Sequence, residues 1–220
     1  MAGPDLIPPN IRDLYEVHEW RHASAILRSD FPGEWEDVMT VLGEFRLLES
    51  DIRAPGGGKS RIAQRLDRRC KDRGWEERSL RTTWTLKPLD PLRRKLRRLV
   101  PGAQPAEEVP EQVLEDRTHK VDLFKNRIAL EVEWNNKDTF FDRDLYNFAH
   151  LFDINIASVG VIVTRSDHLQ EVFNELGEGG KYGASTTHMG KLLPKIRRGG
   201  AGGCPTLVLG IKRDLYVPGQ

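Results

Sequence analysis

Cysteine and long apolar segments are scarce in this chain of 220 residues. Its two cysteines, Cys70 and Cys204, are too few for a disulfide framework and lack the CxxC or Cys/His spacing of a zinc site, so we interpret them as reduced structural thiols. The longest apolar run, residues 157–163, is far too short to cross a bilayer. The N-terminal residues MAGPDLIPPN lack the basic and apolar regions of a signal peptide. We therefore expect a cytoplasmic protein with no membrane partner.

An excess of one charge is absent from the chain as a whole, whose formal net charge is +1, but separate segments are strongly charged. Residues 53–98 contain sixteen Lys/Arg and five Asp/Glu, whereas residues 107–116 contain five acids and no base. A second basic stretch covers residues 191–198. Basic segments are typical of nucleic-acid binding, but solvated helix faces have the same composition. Charge alone is therefore compatible with DNA or RNA binding and does not establish it.

The N-terminal part, residues 1–118, is predicted to be mainly helical. Apolar residues recur at helical spacing over residues 32–51, and the breaker APGGG at residues 54–58 precedes a helix that Lys59 or Ser60 can cap. Two further segments were interpreted by composition: a basic amphipathic helix at 90–99 and a Pro/Ala/Glu-rich connection at 101–110.

The C-terminal part, residues 119–220, is predicted to alternate strands and helices. Residues 120–124 and 128–134 predict a hairpin closed by a tight Lys125-Asn126 turn. A helix at 139–153 and a buried strand at 157–164 follow, and this order implies a parallel crossover. The remaining predicted elements are helices at 167–176 and 188–197 and a strand at 206–212. We expect one α/β domain over residues 1–220, with helices on both sides of the sheet.

Three acids are predicted to converge on the hairpin. Glu131 and Glu133 share one face of their strand because side chains alternate along a strand. With a two-residue turn, Asp122 lies opposite Ala129, diagonal to Glu131 and on the same face; a turn one residue longer moves Asp122 to the other face. Grouped carboxylates with no His or Cys nearby favour Mg²⁺, which fits phosphodiester hydrolysis. The alternative is that both glutamates face solvent on an edge strand.

Residues 119–166 give the chain a family resemblance. An Asp on one strand, Glu-x-Glu on the next and a polar turn before a helix are found here as Asp122, Glu131 with Glu133, and residues 135–138. This segment resembles type II restriction endonucleases of the BglII, BamHI and BstYI group, and residues 181–192 (KYGASTTHMGKL) are similar to the same family. The resemblance implies a restriction-endonuclease-like α/β fold, in which a central mixed β-sheet is flanked by helices on both sides.

The resemblance also implies roles for the acids. Asp122, Glu131 and Glu133 would be catalytic and would bind Mg²⁺, for which Mn²⁺ substitutes, and Glu133 would act as general base for the attacking water. The Lys that is commoner at the position of Glu133 is absent, so stabilisation of the leaving oxygen must come from metal or water. A further acid, Glu44 or Glu49, is a candidate to complete the site, and no spacing argument chooses between them.

The polar turn and the C-terminal loop are candidates for DNA contact. Asn136 is the best candidate for the outer base pair, and the residues after the parallel strand for the inner ones. Ordinary turn chemistry and a helix cap are the alternatives for these two segments. The Gly-rich loop 177–187 is expected to become ordered on DNA. The predicted DNA-binding residues are Asn135, Asn136, Lys137, Arg165, Ser166, Asp167, Lys181, Ser185, Thr186, Thr187 and His188.

The resulting hypothesis is a prokaryotic restriction endonuclease that binds double-stranded DNA as a homodimer, since two-fold protein symmetry matches a palindromic site. A GATC core is one candidate for that site. No nucleotide cofactor is expected, because the GKS at residues 58–60 lacks the first glycine of a P-loop and follows a helix. Two other hypotheses stay open: a DNA-binding protein without cleavage, and a repair nuclease that recognises DNA structure.

Overall fold

A computed structural model describes residues 6–86 and 112–219. The chain divides into two compact units, one of residues 1–78 with 119–220 and a small one of residues 79–118. Our expectation of a single domain over residues 1–220 stays a prediction beside this division. Within the described ranges, no helix is long and apolar enough to span a bilayer. The predicted helix at 90–99 and the connection at 101–110 lie outside the described residues.

The described residues form eight short α-helices, separated by strands and loops. They are α1 Pro9–Leu14, α2 Ala23–Asp30, α3 Pro32–Glu44, α4 Glu49–Arg53, α5 Arg61–Lys71, α6 Phe140–Asp153, α7 Leu169–Glu175 and α8 Met189–Arg197. A 3₁₀ turn covers Arg213–Leu215. The strands are β1 Tyr15–Trp20, β2 Leu47–Leu48, β3 Glu76–Arg78, β4 Arg81–Leu86, β5 Gln112–Arg117, β6 Val121–Lys125, β7 Ile128–Val132, β8 Val159–Arg165, β9 Thr206–Ile211 and β10 Tyr216–Val217.

Local sequence signals explain where the helices begin. Pro32 occupies the first turn of α3, where its missing N–H costs no hydrogen bond. Ser60 caps α5, because its side chain accepts a hydrogen bond from the amide of Ala63 at 3.1 Å. The predicted helix at 32–51 is interrupted: α3 ends at Glu44, Phe45 is extended and leads to β2, and α4 begins at Glu49.

The main sheet has six strands in the order β1-β9-β8-β7-β6-β3. β7, β8 and β9 are parallel, whereas β1, β6 and β3 are antiparallel to their neighbours, so the sheet is mixed as predicted. β7 lies inside this sheet between β6 and β8. The small unit is a separate antiparallel ribbon of β4 and β5, in which Trp84 pairs with Leu114; neither strand was predicted from the sequence.

The two faces of the sheet are covered by different helices. One face presents Leu130, Val132 and Val163, which pack against residues of α3 and α5 such as Val38 and Leu66. On the opposite face, α6 and α8 lie over the two glycines of β8 and β9, since a Cβ on Gly160 would meet the Phe148 ring and one on Gly210 would meet Met189. Glu131 is on this second face, since it is two residues after Ala129, the partner of Gly160. The acids of β7 therefore lie under α6.

Contact between β8 and α6 predicts a specific cost for a side chain at Gly160. A Cβ there would lie 2.3 Å from Phe148 Cδ2, so Gly160→Ala should lower the free energy of unfolding by about 1–3 kcal/mol. The matched control is Gly33→Ala in α3, where no atom lies within 4 Å of the added carbon and we expect no loss of stability. Urea unfolding measures both, and equal stabilities of the two variants would contradict the packing described here.

Candidate active site

The turn of the β6–β7 hairpin decides where Asp122 lies. It consists of Asn126 and Arg127, which have φ values of 40° and 72°, the left-handed conformation of a two-residue hairpin turn. The turn is one residue later than the predicted Lys125-Asn126. Leu123 pairs with Leu130 in this register, and one step further along both strands Asp122 is opposite Glu131, not Ala129. The sequence prediction of the partner was wrong, but Asp122 and Glu131 do share a face because a shift of two residues keeps the parity.

Glu131 and Glu133 are buried, with exposed fractions of 1% and 2%. The alternative of solvent-facing glutamates on an edge strand is therefore wrong. Glu131 Oε2 accepts a hydrogen bond from the amide of Asp122 at 3.3 Å. Glu131 Oε1 has no hydrogen-bond partner among the described residues. A buried, unpartnered carboxylate oxygen is unusual, since such groups nearly always have a donor or an ion beside them.

A fourth acid, Asp144, enters the cluster from α6. It is completely buried, and the Arg143 guanidinium nitrogen that bonds Glu133 also bonds its carboxyl group, so the two acids lie side by side. Asp144 was not among the predicted site residues, although a signal was present. Asp144 is three residues after Phe141 and four before Phe148, so it belongs to the buried face of α6. An acid on an apolar helix face needs a partner, and here Arg143 bonds both Asp144 and the neighbouring acid Glu133.

Mutual repulsion and burial raise the proton affinity of this cluster. Burial, followed by the charges of Asp144 and Asp122, raises the pKa of Glu131 well above its usual range. Burial and Asp144 together raise the pKa of Glu133 to about 9. Burial also raises the pKa of Asp144, against the lowering effect of Arg143. At neutral pH the free protein therefore retains protons on this cluster that isolated carboxyl groups would have released.

Two cations contact the acids within the part of the chain that the structure describes. Arg143 donates from the same guanidinium nitrogen to Glu133 Oε1 at 3.2 Å and to Asp144 Oδ1 at 2.8 Å. Lys59 lies with Nζ 3.2 Å from Asp122 Oδ1 and donates a second hydrogen bond to Asp67 of α5. No spacing in the sequence connects Lys59 with Asp122, and we did not predict this contact.

The two acids left open as additions to the site lie elsewhere. Glu44 pairs with Arg69 at 2.8 Å. Glu49 accepts hydrogen bonds from Arg53 at 2.7 Å and from the Tyr216 hydroxyl at 3.0 Å. Neither contacts Asp122, Glu131 or Glu133 in the structure described, and Asp144 is the acid that does join them.

The chemistry of the cluster fits a hard divalent cation. All its donors are oxygens, the ligands that Mg²⁺ prefers. Glu131 Oε1 is free to coordinate, and an added positive charge would relieve the repulsion that now retains protons. In the present arrangement, no three His, Cys, Asp or Glu side chains of the described residues converge in a geometry ready for a metal ion. Asp122 points instead to Lys59.

The predicted DNA-contacting turn and loop are paired with each other. Asn136 bonds Thr187 in both directions, through its amide to the hydroxyl at 3.2 Å and through its carbonyl to the Thr187 amide at 2.8 Å. Lys137 forms a bridge with Thr186. The Asp138 amide donates to Ser185 O at 3.1 Å. The side-chain amide of Asn136 also donates to Glu133 Oε2 at 2.7 Å, which joins this surface to the acid cluster.

Several predicted DNA-contacting side chains are buried. Arg165 and Ser166 are 2% and 0% exposed, and Thr187 is 0% exposed. The Arg165 guanidinium donates to Tyr182 O at 3.0 Å and Thr186 Oγ1 at 3.1 Å, and burial lowers its pKa to about 10. In this structure Arg165, Ser166 and Thr187 do not present their side chains to solvent, and Arg165 holds the loop through hydrogen bonds. Their contact with DNA bases stays a prediction.

The loop itself is held by contacts within the protein. Lys181 Nζ donates to the carbonyls of Ile52 and Ala54, and the Tyr182 ring stacks on Phe173 at 3.9 Å. The expectation that the loop becomes ordered on DNA stays a prediction beside these contacts. Ser185 and Lys137 are exposed, and Thr186 and His188 are partly exposed.

Asn135 has the turn role that the sequence left as an alternative, whereas Asp167 bonds the helix α8 and not the amides that follow it in the chain. Asp167 accepts hydrogen bonds from the Gly190 amide at 2.9 Å and pairs with His188 Nδ1 at 2.5 Å. It thus satisfies an amide in the first turn of α8. Asn135 has a φ of 58°, the left-handed conformation that asparagine tolerates in turns.

A mixed sheet flanked by helices, with a group of acids at the end of an inner parallel strand, is the architecture of restriction-endonuclease-like nucleases. The family model for restriction endonucleases BglII/BglIII matches residues 15–211 of the chain. The chain belongs to this family. It is therefore a type II site-specific deoxyribonuclease, a hydrolase that acts on DNA. No curated protein matches the chain.

The raised pKa of Glu133 predicts that this acid destabilises the metal-free protein at neutral pH. A carboxyl group whose pKa is higher in the folded state binds more protons there, so stability falls as the pH rises from about 4.5 towards 9. Glu133→Gln should remove this contribution and raise the free energy of unfolding at pH 7 by about 1–3 kcal/mol, with little change at about pH 4.

Urea unfolding at several pH values, without divalent ions, measures this effect. The control is Glu44→Gln, which changes an acid that is 55% exposed and should alter the pH dependence little. If wild type and Glu133→Gln lose stability in parallel as the pH rises, Glu133 does not carry a buried proton.

Proposed function

We propose that the chain hydrolyses DNA phosphodiester bonds in a Mg²⁺-dependent reaction at a short palindromic site in double-stranded DNA. Asp122, Glu131 and Glu133 are the proposed catalytic residues, with Asp144 as a fourth acid. The observation that carries this proposal is the buried acid cluster with an unpartnered oxygen on Glu131. A GATC core is a candidate for the recognised sequence, on family resemblance alone.

The proposed metal ligands are Asp122, Glu131 and Glu133. When bound, a divalent ion polarises water for attack on phosphorus and offsets negative charge on the phosphate. Mn²⁺ has similar oxygen ligands and is proposed to substitute for Mg²⁺. Glu131 already has a free oxygen, whereas Asp122 must leave its contact with Lys59 to serve as a ligand.

Glu133 is the proposed general base for the attacking water. Its carboxyl group is fixed from two sides, because Arg143 donates to Oε1 and Asn136 donates to Oε2. A group with a pKa of about 9 holds its proton at neutral pH, so it can accept one only when added positive charge lowers that pKa. In this proposal Glu133 is a weak base in the free protein and becomes active in the loaded enzyme.

DNA recognition is proposed for the joined turn and loop. Asn136 connects the two parts of the site, since its backbone is tied to Thr187 and its side chain to Glu133. A contact with a DNA base that moves Asn136 would therefore also alter the orientation of Glu133, the proposed general base. The predicted DNA-contacting residues that retain exposed surface stay candidates for DNA contact. They are Lys137, Asp167, Ser185, Thr186 and His188, together with Asn135 and Lys181.

Cleavage of plasmid DNA tests the proposed catalytic acids. Wild type should cut with Mg²⁺ or Mn²⁺ and leave fragments with unique ends, which sequencing of those ends would identify. Glu133→Ala should slow single-turnover cleavage by about 100- to 10,000-fold, the usual contribution of a general base, while DNA binding in Ca²⁺ changes little.

Glu171→Ala is the matched control, because this glutamate of α7 is 68% exposed and pairs with Arg213, outside the acid cluster. Cleavage by Glu133→Ala at the wild-type rate would remove Glu133 from the mechanism. Binding to one sequence without cleavage in either metal would favour a DNA-binding protein, and cutting only at branched or damaged DNA would favour a repair nuclease.

The proposed homodimer predicts a defined assembly on DNA. Two copies related by two-fold symmetry match the two halves of a palindrome, so each copy would cut one strand. Sedimentation of the protein with a duplex that contains the identified site should give two chains per duplex. One chain per duplex, together with cutting of a single strand, would contradict the dimer.

A further inference from the structure

Lys59 is a charged residue that contacts the proposed active site, but the proposed chemistry assigns it no role. It precedes α5, yet its Nζ lies 3.2 Å from Oδ1 of Asp122 on β6. A lysine that reaches a proposed catalytic acid across 63 residues of sequence is placed there by the fold. Directly after β7, the position at which a lysine is commoner in such enzymes is occupied by an acid, Glu133.

Lys59 is held both at its backbone and at its ammonium group. Its carbonyl accepts a hydrogen bond from Gln64 Nε2 at 2.6 Å, and Ser60, the next residue, caps α5. Its ammonium group is bonded to Asp67, which is 6% exposed and lies on the buried face of α5. Exposed ion pairs contribute little because both side chains move freely, but here the acidic partner is buried and held by the helix.

Lys59 also lies at the solvent-exposed edge of the acid cluster. Asp122 has a side-chain exposure of 23%, compared with 3% for Glu133 and 0% for Asp144, so the cluster meets solvent at Asp122. The side chain of Lys59 is 36% exposed at the same place. A cavity of about 270 Å³ adjoins Lys59 and is also lined by Asn136, which bonds Glu133.

The charge balance at this entrance requires a cation. Arg143, the other cation in contact with the four acids in the described residues, is occupied by Glu133 and Asp144 and lies over the Phe140 ring at 4.3 Å. A DNA phosphate adds negative charge to a site that is already rich in it, which is unfavourable unless positive charge lies beside its path. Lys59 is the cation at that position.

We propose that Lys59 is a phosphate-binding residue of the active site, held by Asp67 so that its ammonium group contacts a non-bridging oxygen of the phosphate that is cut. This inference rests on the proposed function, because it needs a phosphodiester at the acid cluster. In the free protein the same ammonium group is bonded to Asp122 and competes there with a divalent ion. A lysine from α5's N-terminal side thus supplies the charge that the Glu-x-Glu strand cannot.

Single-turnover cleavage and metal binding together test this role. Lys59→Met should slow cleavage by about 100- to 1000-fold, as expected when a preorganised charged contact to the reacting group is lost. Lys59→Arg keeps the charge and should retain at least about a tenth of the rate. In the free protein, Lys59→Met should bind Mn²⁺ about two- to fivefold more tightly in calorimetry, since an exposed competitor of Asp122 has been removed.

The matched control is Lys120→Met. This lysine is two residues before Asp122 and has the same charge, but it is paired with Glu77 at 2.8 Å. We expect its cleavage rate and Mn²⁺ affinity to stay within about threefold of wild type, the scale of an exposed ion pair. An equal loss of cleavage in both lysine variants would mean that general charge, and not Lys59, is responsible, and would contradict the inference.

Three further outcomes are decisive. Wild-type cleavage by Lys59→Met overturns the inference and leaves the proposed function intact. Loss of Mn²⁺ binding in Lys59→Met, in parallel with cleavage, means that Lys59 only supports the metal ligands, and it also overturns the inference. A wild-type protein that never cleaves contradicts the proposed function itself. Thermal melting verifies folding, and Lys59→Gln, which can still bond Asp67, replaces Lys59→Met in the same assays if that variant is unfolded.

Discussion

Repulsion within a buried group of four carboxyl groups is the constraint on which the rest of this site depends. β6 and β7 bring Asp122 beside Glu131, and α6 places Asp144 against Glu133. Water cannot screen these charges, so the free protein compensates with protons and with two cations, Arg143 and Lys59. A group of buried acids that needs such compensation is unfavourable for stability, and such arrangements are typical of functional sites.

Much of the fold followed from periodicity in the sequence. Alternation along residues 128–134 placed Glu131 and Glu133 on one face, and the order of strand, helix and strand predicted the parallel pairing of β7 with β8. The register of the hairpin could not be predicted from the sequence. Its turn residues, Asn126 and Arg127, have left-handed backbone conformations, but neither is the glycine that usually marks such a turn. Parity survived this error, so Asp122 still joined Glu131.

The rest of the site depends on contacts between distant segments, which local patterns do not encode. Asp144 could have been found as an acid on the apolar face of its helix, but Lys59 reaches Asp122 only because α5 packs against the sheet. The burial of Arg165 was not predicted for the same reason: this charged residue at the end of β8 is bonded to Tyr182 and Thr186, which are distant in sequence. The interaction of Asn136 with Glu133 then links the turn proposed to contact DNA to the acids.

Calorimetric titration of the free protein with Mg²⁺ at pH 7, in buffers of different ionisation enthalpy, tests the central claim most directly. Metal ligands must lose their protons, so binding to an acid cluster that holds them should release protons in proportion. The account predicts release of about one proton for each ion bound and much less from Glu133→Gln, because Glu133 carries a proton at this pH. Binding without proton release, or equal release from both proteins, would contradict it.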